Sequence, residues 1–313
     1  MDDLDRKLLS ELQRRGYQKS TVLAIKLGIG ERTIRRRISA MRSKGIIKII
    51  AVPKPVGAGC RAWAKIGIKV EPGSLFKVAQ ELIENPSVYF VAYSLGIFEI
   101  MIAVRFGTMD GLTYFVNSEL TRIKGITGTE AMMLMYPRKY YDFRWPEYIF
   151  TKNNGREYYH DAIELSSGYE TDDMDHKIID FLSEDALTPV HVLSSRLGTG
   201  KGTIQKRIKR MLKEEIFKLE VVPNPESLEY EVWATMGLNI NHQFTDEVIN
   251  AIIKNPAVYL AAVSLGRFNI VISIHFHNID LLNEFIHVEM EQIPGISAKE
   301  IFVHTKPLKY HNT

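Results

Sequence analysis

Displaced by 170 positions (174 − 4), the chain lies on itself without a gap. Leu4-Asp5-Arg6-Lys7 falls on Met174-Asp175-His176-Lys177, and Leu27-Gly28 on Leu197-Gly198. Val52-Pro53-Lys54-Pro55 meets Val222-Pro223-Asn224-Pro225, and Trp63 meets Trp233. Asn85-Pro86-Ser87-Val88-Tyr89 meets Asn255-Pro256-Ala257-Val258-Tyr259. Ser94-Leu95-Gly96 meets Ser264-Leu265-Gly266, and Lys139-Tyr140 meets Lys309-Tyr310. This period is too long for a solenoid and has the size of a complete small protein. The chain is a covalent tandem of one architecture, so whatever one half does is available twice.

The first part of each half reads as helices. Leu4, Leu8, Leu9 and Leu12 form one helical stripe, and Val22, Leu23, Ile25 and Leu27 mark a second helix broken by Gly28-Ile29-Gly30. A third follows at once, Glu31 to Met41, with Ile34, Ile38 and Met41 inward and Arg32, Thr33, Arg35, Arg36 and Arg37 beside them. Lys44-Gly45 ends it, and Ile46 to Ile50 reads as a β-wing. The second half repeats the pattern: Met174, Ile178, Ile179 and Leu182, then Thr188 as N-cap with Pro189 at the first helical position. Its third helix carries Lys201, Thr203, Gln205, Lys206 and Arg207 around an inward Ile204, Ile208 and Met211. Two helices joined by a tight glycine turn, the second basic, make a helix-turn-helix. A solvated helix face would interleave acids with its bases. After Glu31 the next eleven residues hold five arginines and no acid. Such a cluster attracts phosphate, while Arg or Thr near the helix N-terminus reaches base edges in a major groove. Double-stranded DNA is the expected partner. The net charge of +3 is modest, so local clustering must carry the binding.

After the wing the period changes to two. Strands are expected over 62–70, 88–95, 98–106 and 127–136, with helices over 74–84 and 108–122. This βαββαβ order is ferredoxin-like and recurs from Val232 to His304. Ile100, Ile102, Val104 and Phe106 mark the helix-covered face. The other face, expected to be polar, carries Trp63, Phe90, Ala92, Met101, Ala103, Ala131 and Met133, with Trp233, Leu260, Ala262 and Val271 in the second half. A surplus apolar face implies sheet-on-sheet packing and self-association through the sheets. The fold class is therefore α+β, two tandem copies of a winged helix-turn-helix plus a ferredoxin-like βαββαβ domain. The expected boundaries are 1–52, 60–138, a linker at 139–170, 171–222 and 230–310.

These features together resemble the Lrp/AsnC (feast/famine) transcription regulators. The matching stretches are Leu4-Asp5-Arg6-Lys7-Leu8-Leu9, Leu27-Gly28-Ile29, Thr33-Ile34, Arg37-Ile38, Gly45-Ile46-Ile47 and Val52-Pro53. Gly96-Ile97-Phe98-Glu99 matches the family's Gly-x-aromatic-Asp turn. The resemblance implies operator binding through the helix-turn-helix, assembly through the βαββαβ domain, and a small effector, such as an amino acid, near Gly96, Phe98, Glu99, Gly266, Phe268 and Asn269. The chain departs from the family pattern in having Glu99 and Asn269 for the usual Asp, and Gly30 and Gly200 where a Ser or Thr cap is common.

Other signals point to little further chemistry. No apolar run approaches the ~18 residues of a membrane span, and the acidic Met1-Asp2-Asp3-Leu4-Asp5 is unlike a signal peptide, so no membrane partner and a cytoplasmic location are expected. The single cysteine, Cys60, excludes an intrachain disulfide and a multi-cysteine zinc site. His275 and His277 share a side of one strand, with His304 as a neighbour, but no carboxylate joins them and the first half lacks matching ligands. Neither metal nor cofactor is expected. The join contains the aromatic run Tyr140 to Pro146, expected to pack on a domain surface. No nucleophile–base pair, phosphate loop or paired-carboxylate motif appears, so no catalytic residue is assigned. The competing enzymatic reading is a sirohaem decarboxylase, a group that is similar in fold order. The histidine-, tyrosine- and arginine-bearing segment those enzymes carry is replaced by Val88 to Gly96.

Overall fold

A computed structural model describes residues 2–53, 62–140, 171–223 and 230–310. Cys60 and the join from 141 to 170 lie outside the described residues. Contacts divide the chain into two compact units, one from 2–53 and 171–223, the other from 62–140 and 230–310. Each half of the repeat thus gives its first part to one unit and its second part to the other.

The helical unit contains α1 (Asp3–Arg15), α2 (Ser20–Leu27), α3 (Glu31–Ser43) and β1 (Ile47–Pro53). The second copy supplies α6 (Asp173–Glu184), α7 (Val190–Leu197), α8 (Lys201–Lys213) and β6 (Phe217–Pro223). α1 and α6 each open on a reciprocal capping box, Asp2 with Asp5 and Asp172 with Asp175, which satisfies otherwise orphaned N–H groups. α3 and α8 begin at Gly30 and Gly200 with no side-chain cap. Thr188, expected to cap α7, donates instead to the Asp185 carbonyl at 2.7 Å, and Pro189 takes the cap position.

The expected wing is not closed within its own half. β1 pairs antiparallel with β6, from Ile47 opposite Pro223 to Pro53 opposite Phe217. A lone strand has no ladder partner in its own copy, and its backbone groups are satisfied by the other. The exchange extends to the cores. Val221 joins Leu8, Leu9, Leu12, Ile34 and Ile38, while Ala51 joins Ile178, Ile179, Leu182 and Phe217. Tyr17 N–H donates to the Leu219 carbonyl at 2.9 Å, Ala186 N–H to the Ile49 carbonyl at 2.8 Å, and Arg42 bridges to Asp185 at 2.8 Å. The two helix-turn-helix copies are one interlocked body.

The second unit contains β2 (Ala62–Val70), α4 (Leu75–Glu84), β3 (Val88–Leu95), β4 (Ile100–Phe106), α5 (Met109–Tyr114) and β5 (Ile126–Tyr140). Its second copy is β7 (Val232–Ile240), α9 (Thr245–Ile252), β8 (Val258–Leu265), β9 (Ile270–Phe276), α10 (Ile279–Glu284) and β10 (Ile296–Tyr310). Each copy is the expected antiparallel ferredoxin-like sheet, with Ile100, Ile102 and Val104 in the helix-covered core of the first and Ile270, Ile272 and Ile274 in that of the second. The sheets do not meet as two separate faces. β5 and β10 run on to Tyr140 and Tyr310 and pair with β8 and β3 of the other copy, closing a barrel of order β10-β3-β4-β2-β5-β8-β9-β7. The surplus apolar face becomes the barrel interior: Trp63, Phe90, Ala92, Met101, Ala103, Trp233, Leu260, Ala262 and Val271 are all buried.

Ala131 and Met133, expected in that interior, pack instead against the helix-covered core, and Met132 and Leu134 are the buried residues between and beyond them. A bulge where Lys69 pairs Gly128 but Val70 pairs Ile126 adds one residue at the start of β5. A one-residue slip exchanges the faces of a strand.

The strand extensions also cap helices across the repeat. Lys139 Nζ donates to the carbonyls of Ile253 and Asn255, both at 3.1 Å, just beyond α9. Its counterpart Lys309 donates to those of Ile83 and Asn85, at 2.9 and 3.0 Å, at the end of α4. A cation at a helix C-terminus satisfies orphan carbonyls and suits the helix dipole. Lys309→Met is expected to lower the unfolding free energy by roughly 1–3 kcal/mol, the range for losing a charged hydrogen-bond donor. Urea unfolding measures it, and a change within ~0.5 kcal/mol, the ordinary surface range, would contradict the capping role.

Candidate functional site

Three groups of residues stand out, the first on α3 and α8. Arg32, Arg35 and Arg36 are exposed and Thr33 is half-buried, as the inward stripe Ile34, Ile38 and Met41 dictates. Arg35 Nε donates to Glu31 at 3.1 Å, an exposed pair worth little and easily exchanged for phosphate. Lys201, Thr203, Gln205 and Lys206 are exposed on α8. Exposed Lys209 and Arg210 extend that face, and sequence periodicity would have found them. An open groove of about 450 Å³ lies there, lined in part by Gly202, Thr203, Lys206 and Arg210.

Arg37 and Arg207, grouped with the DNA-facing residues from sequence, are otherwise engaged. Arg37 is half-buried and donates to Asp2 and, at 3.0 Å, to Asp5; Arg207 donates to Asp172 and Asp175 at 2.8 Å. They tie the third helix of each copy to the capping box of its first. The Asp5 backbone N–H and the Arg37 guanidinium hold the Asp2 carboxyl below its usual range, and Asp172 is held down likewise. Both arginines flank the buried stripe, a position that favours an internal partner over a ligand.

The second group is the pair of glycine turns. Gly96 and Gly266 are exposed at φ of 130° and 128°, a conformation L side chains rarely adopt. Phe98 and Phe268, expected at an effector pocket, turn inward and are 2% exposed. The Glu99 carboxylate accepts from Val70 N–H at 2.9 Å, and Asn269 Oδ1 accepts from Ile240 N–H at 2.9 Å. This is why Glu and Asn replace one another here: the position needs an acceptor, not a charge. Next to the second turn, Arg267 bridges two repeat-equivalent carboxylates, Glu130 at 3.7 Å and Glu300. The first turn has Ile97 at that place.

The third group lies inside the barrel and was missed in the sequence. Lys65 is 4% exposed and donates across the interior to Thr235 Oγ1 at 2.7 Å. Thr235 Oγ1 lies 2.9 Å from His304 Nε2, and the Lys65 ammonium sits 5.3 Å from the Phe90 ring centroid. Burial lowers Lys65 to about 7. Burial, and then the charge of Lys65, pushes His304 well below its usual value. The signal was available: Lys65 is two residues from Trp63 and shares its face. The two histidines read beside His304 in the sequence stack on tyrosines, His275 on Tyr259 at 5.3 Å and His277 on Tyr230 at 4.6 Å. Among the described residues no three metal-ligating side chains gather, and no helix is long and apolar enough to cross a membrane.

Family comparisons match this layout. A winged helix-turn-helix DNA-binding model matches residues 1–48, an AsnC-type helix-turn-helix model 172–212, and the Lrp/AsnC ligand-binding domain 64–143. An uncharacterized HTH-type transcriptional regulator of Pyrococcus furiosus is 33% identical over 141 residues, which is 45% of this chain and 95% of the relative. The chain belongs to the Lrp/AsnC family. A second relative, the HTH-type transcriptional regulator FL11 of Pyrococcus furiosus, is 30% identical over 140 residues, or 44% of this chain and 92% of that protein. Each match spans a little under half of this chain. At the level of fold, the siroheme decarboxylase NirDL is similar over 98% of this chain and 93% of its own, with a TM-score of 0.64 and 14% identity. This Lrp/AsnC chain therefore shares a whole-length fold with an enzyme while its sequence relatives are named as regulators.

Proposed function

We propose that this Lrp/AsnC protein is a DNA-binding transcription regulator that reads its site with two unlike helices held in one covalent pseudo-dimer. The observation that carries the reading is the interlocked helical unit, which presents the basic faces of α3 and α8 from one body joined by the β1–β6 ribbon. Arg32, Thr33, Arg35 and Arg36 on α3, and Lys201, Thr203, Gln205 and Lys206 on α8, are the expected contacts. Arg37 and Arg207 act behind them by holding the helices. A symmetric dimer reads a palindrome because its own symmetry is mirrored in the site. Here Arg32-Thr33-Ile34-Arg35-Arg36 is matched by Gly202-Thr203-Ile204-Gln205-Lys206, so a single chain suits a non-palindromic site. A small effector such as an amino acid would be sensed at the glycine turns, where Arg267 between Glu130 and Glu300 gives the second turn its own charge pattern.

The test is the Arg32→Ala, Arg35→Ala, Arg36→Ala triple variant, titrated onto a duplex selected by the wild-type protein. Affinity should fall by roughly 1 kcal/mol or more per lost contact, and the slope of log affinity against log salt should flatten by about one per phosphate contact. Unchanged affinity with an intact circular dichroism spectrum removes α3 from the interface. The whole-length likeness to the decarboxylase motivates one control: on the regulator reading, sirohaem added to the protein shows no saturable absorbance change.

A further inference from the structure

Several polar groups buried inside the barrel are short of hydrogen-bond partners. The Lys65 ammonium has three N–H groups, and among the described residues Thr235 is its one hydrogen-bond partner. Thr235 Oγ1 accepts from Lys65 and lies within hydrogen-bond distance of His304 Nε2. His304 is held neutral by burial, and its Nδ1 is buried without a hydrogen-bond partner. Ser273 pairs directly with Thr235 in the β7–β9 ladder, and its hydroxyl is also buried without a partner. Ser94 pairs with His304 across β3–β10 and is in the same condition. Thr235 and Ser273 are 0% exposed and His304 is 2% exposed.

The repeat shows that this cluster is not leftover polarity. Lys65 corresponds to Thr235, Ala103 to Ser273 and Leu134 to His304. In two of the three pairs one copy is apolar and the other polar, and the polar members converge with Lys65 on one place. The halves have diverged to build a single site from both, not two equivalent sites. Lys65's ladder neighbours are Ala103 on β4 and Met132 on β5.

We propose that the barrel interior binds one small monoanion, a carboxylate such as formate or a halide, between the Lys65 ammonium, the Ser273 hydroxyl and His304 in the tautomer that carries its proton on Nδ1 and accepts at Nε2 from Thr235. An anion supplies the acceptor that each of these donors lacks and the countercharge that Lys65 lacks. Inorganic and carboxylate ions share this chemistry, and the small Ala103, directly opposite Lys65 in the ladder, suits an ion of few atoms. Around Lys65, β3 offers Phe90, β4 Ala103, β5 Met132, β7 Thr235 and β10 His304, so His304 is the one titratable neighbour among these. Burial makes the bare ammonium easy to deprotonate, so binding should weaken as the pH rises past about 7.

The experiment uses the full chain, desalted into a buffer whose anion is a bulky sulfonate. Thermal unfolding is followed during titration with sodium formate, with sodium chloride, and with more of the bulky sulfonate as an ionic-strength control. The wild-type midpoint should rise and saturate with formate or chloride, more strongly at low than at high pH, and stay flat with the control. The larger saturating shift identifies carboxylate or halide as the preferred ion. Lys65→Met should abolish the response and Ser273→Ala should weaken it. Equal responses in wild type and Lys65→Met, or a rise that tracks ionic strength alone, would overturn the site. If Lys65→Met does not fold, carbon-13 formate and chlorine-35 relaxation titrations of the wild type decide. A saturable one-to-one signal from either ion supports the site, and its absence for both overturns it.

Discussion

Methionine in place of Lys65 is expected to raise the unfolding free energy by a few kcal/mol at about pH 6 in anion-poor buffer, and to flatten its rise between about pH 7 and pH 10. The side chain keeps its length and loses its charge. Burial lowers the Lys65 pKa from 10.5 to about 7. The sign follows from proton linkage. Between those values the unfolded chain binds a proton that the folded chain does not, so stability increases with pH. Below about 7 both states are protonated and the penalty is fully present. The span is 10.5 − 7 = 3.5 units, and at ~1.4 kcal/mol per unit it sets a ceiling of about 5 kcal/mol. The lost bond to Thr235 reduces the net gain. Thr235 keeps His304, which stays neutral in the fold, so both proteins should weaken as the pH falls below about 6.5. Lys309 is also lowered by burial, but it is present in both proteins and cancels in the difference. Urea unfolding at three pH values is sufficient. Parallel stability profiles for the two proteins would show that Lys65 carries no buried charge.

The elements of each half were legible because their signals are local. The stripe of Ile34, Ile38 and Met41 and the alternation of Ile100, Ile102 and Val104 each fit within one element, and both faces are buried as read. The capping-box acids of α1 and α6 sit at the repeat-equivalent positions Asp2, Asp5, Asp172 and Asp175 and could have been found the same way. What stayed hidden is how one copy completes the other. Ile47 to Pro53 reads as a strand but carries no mark of its partner, and that partner proves to be Phe217 to Pro223. Strand period defines faces and leaves edges open, so barrel closure through β5–β8 and β10–β3 could not be separated from two stacked sheets. One bulged residue was enough to exchange Ala131 and Met133 with Met132 and Leu134. Among the candidate site residues, charge alone did not distinguish the exposed Arg36 from Arg37, which is bound to Asp2 and Asp5. Lys65 was overlooked for the same reason: a lysine in a strand is ordinarily a solvent-facing residue.

Alanine at Gly67 is expected to be among the most damaging small substitutions in the chain. A Cβ there would lie 2.3 Å from Phe98 Cδ2 and 2.5 Å from Cε2, well inside contact distance. The ring cannot simply swing away. It is 2% exposed, packs 5.5 Å from Phe302, and belongs to a turn held by Glu99 N–H to the Ile68 carbonyl at 3.1 Å and by the Glu99 carboxylate to Val70 N–H. One added methyl must therefore displace the turn or distort β2, at a cost of about 3 kcal/mol for overpacking a tight core. Gly237 faces Phe268 in the same way in the second copy, with a Cβ contact of 2.3 Å. Gly237→Ala should thus produce a similar loss, which makes the repeat its own internal control. A double-mutant cycle identifies the cause. Phe98→Ala alone should cost ~3–5 kcal/mol by opening a cavity. Combined with Gly67→Ala it should cost clearly less than the sum, because the new methyl then meets empty space. Strict additivity, or a silent Gly67→Ala in urea unfolding, would mean that the aromatic ring does not seal the turn onto β2. The same variants bear on sensing. If the glycine turns read an effector, Gly67→Ala should change the effector dependence of DNA binding at temperatures where the protein is still folded, although Gly67 lies beneath the turn and Phe98 separates it from the surface.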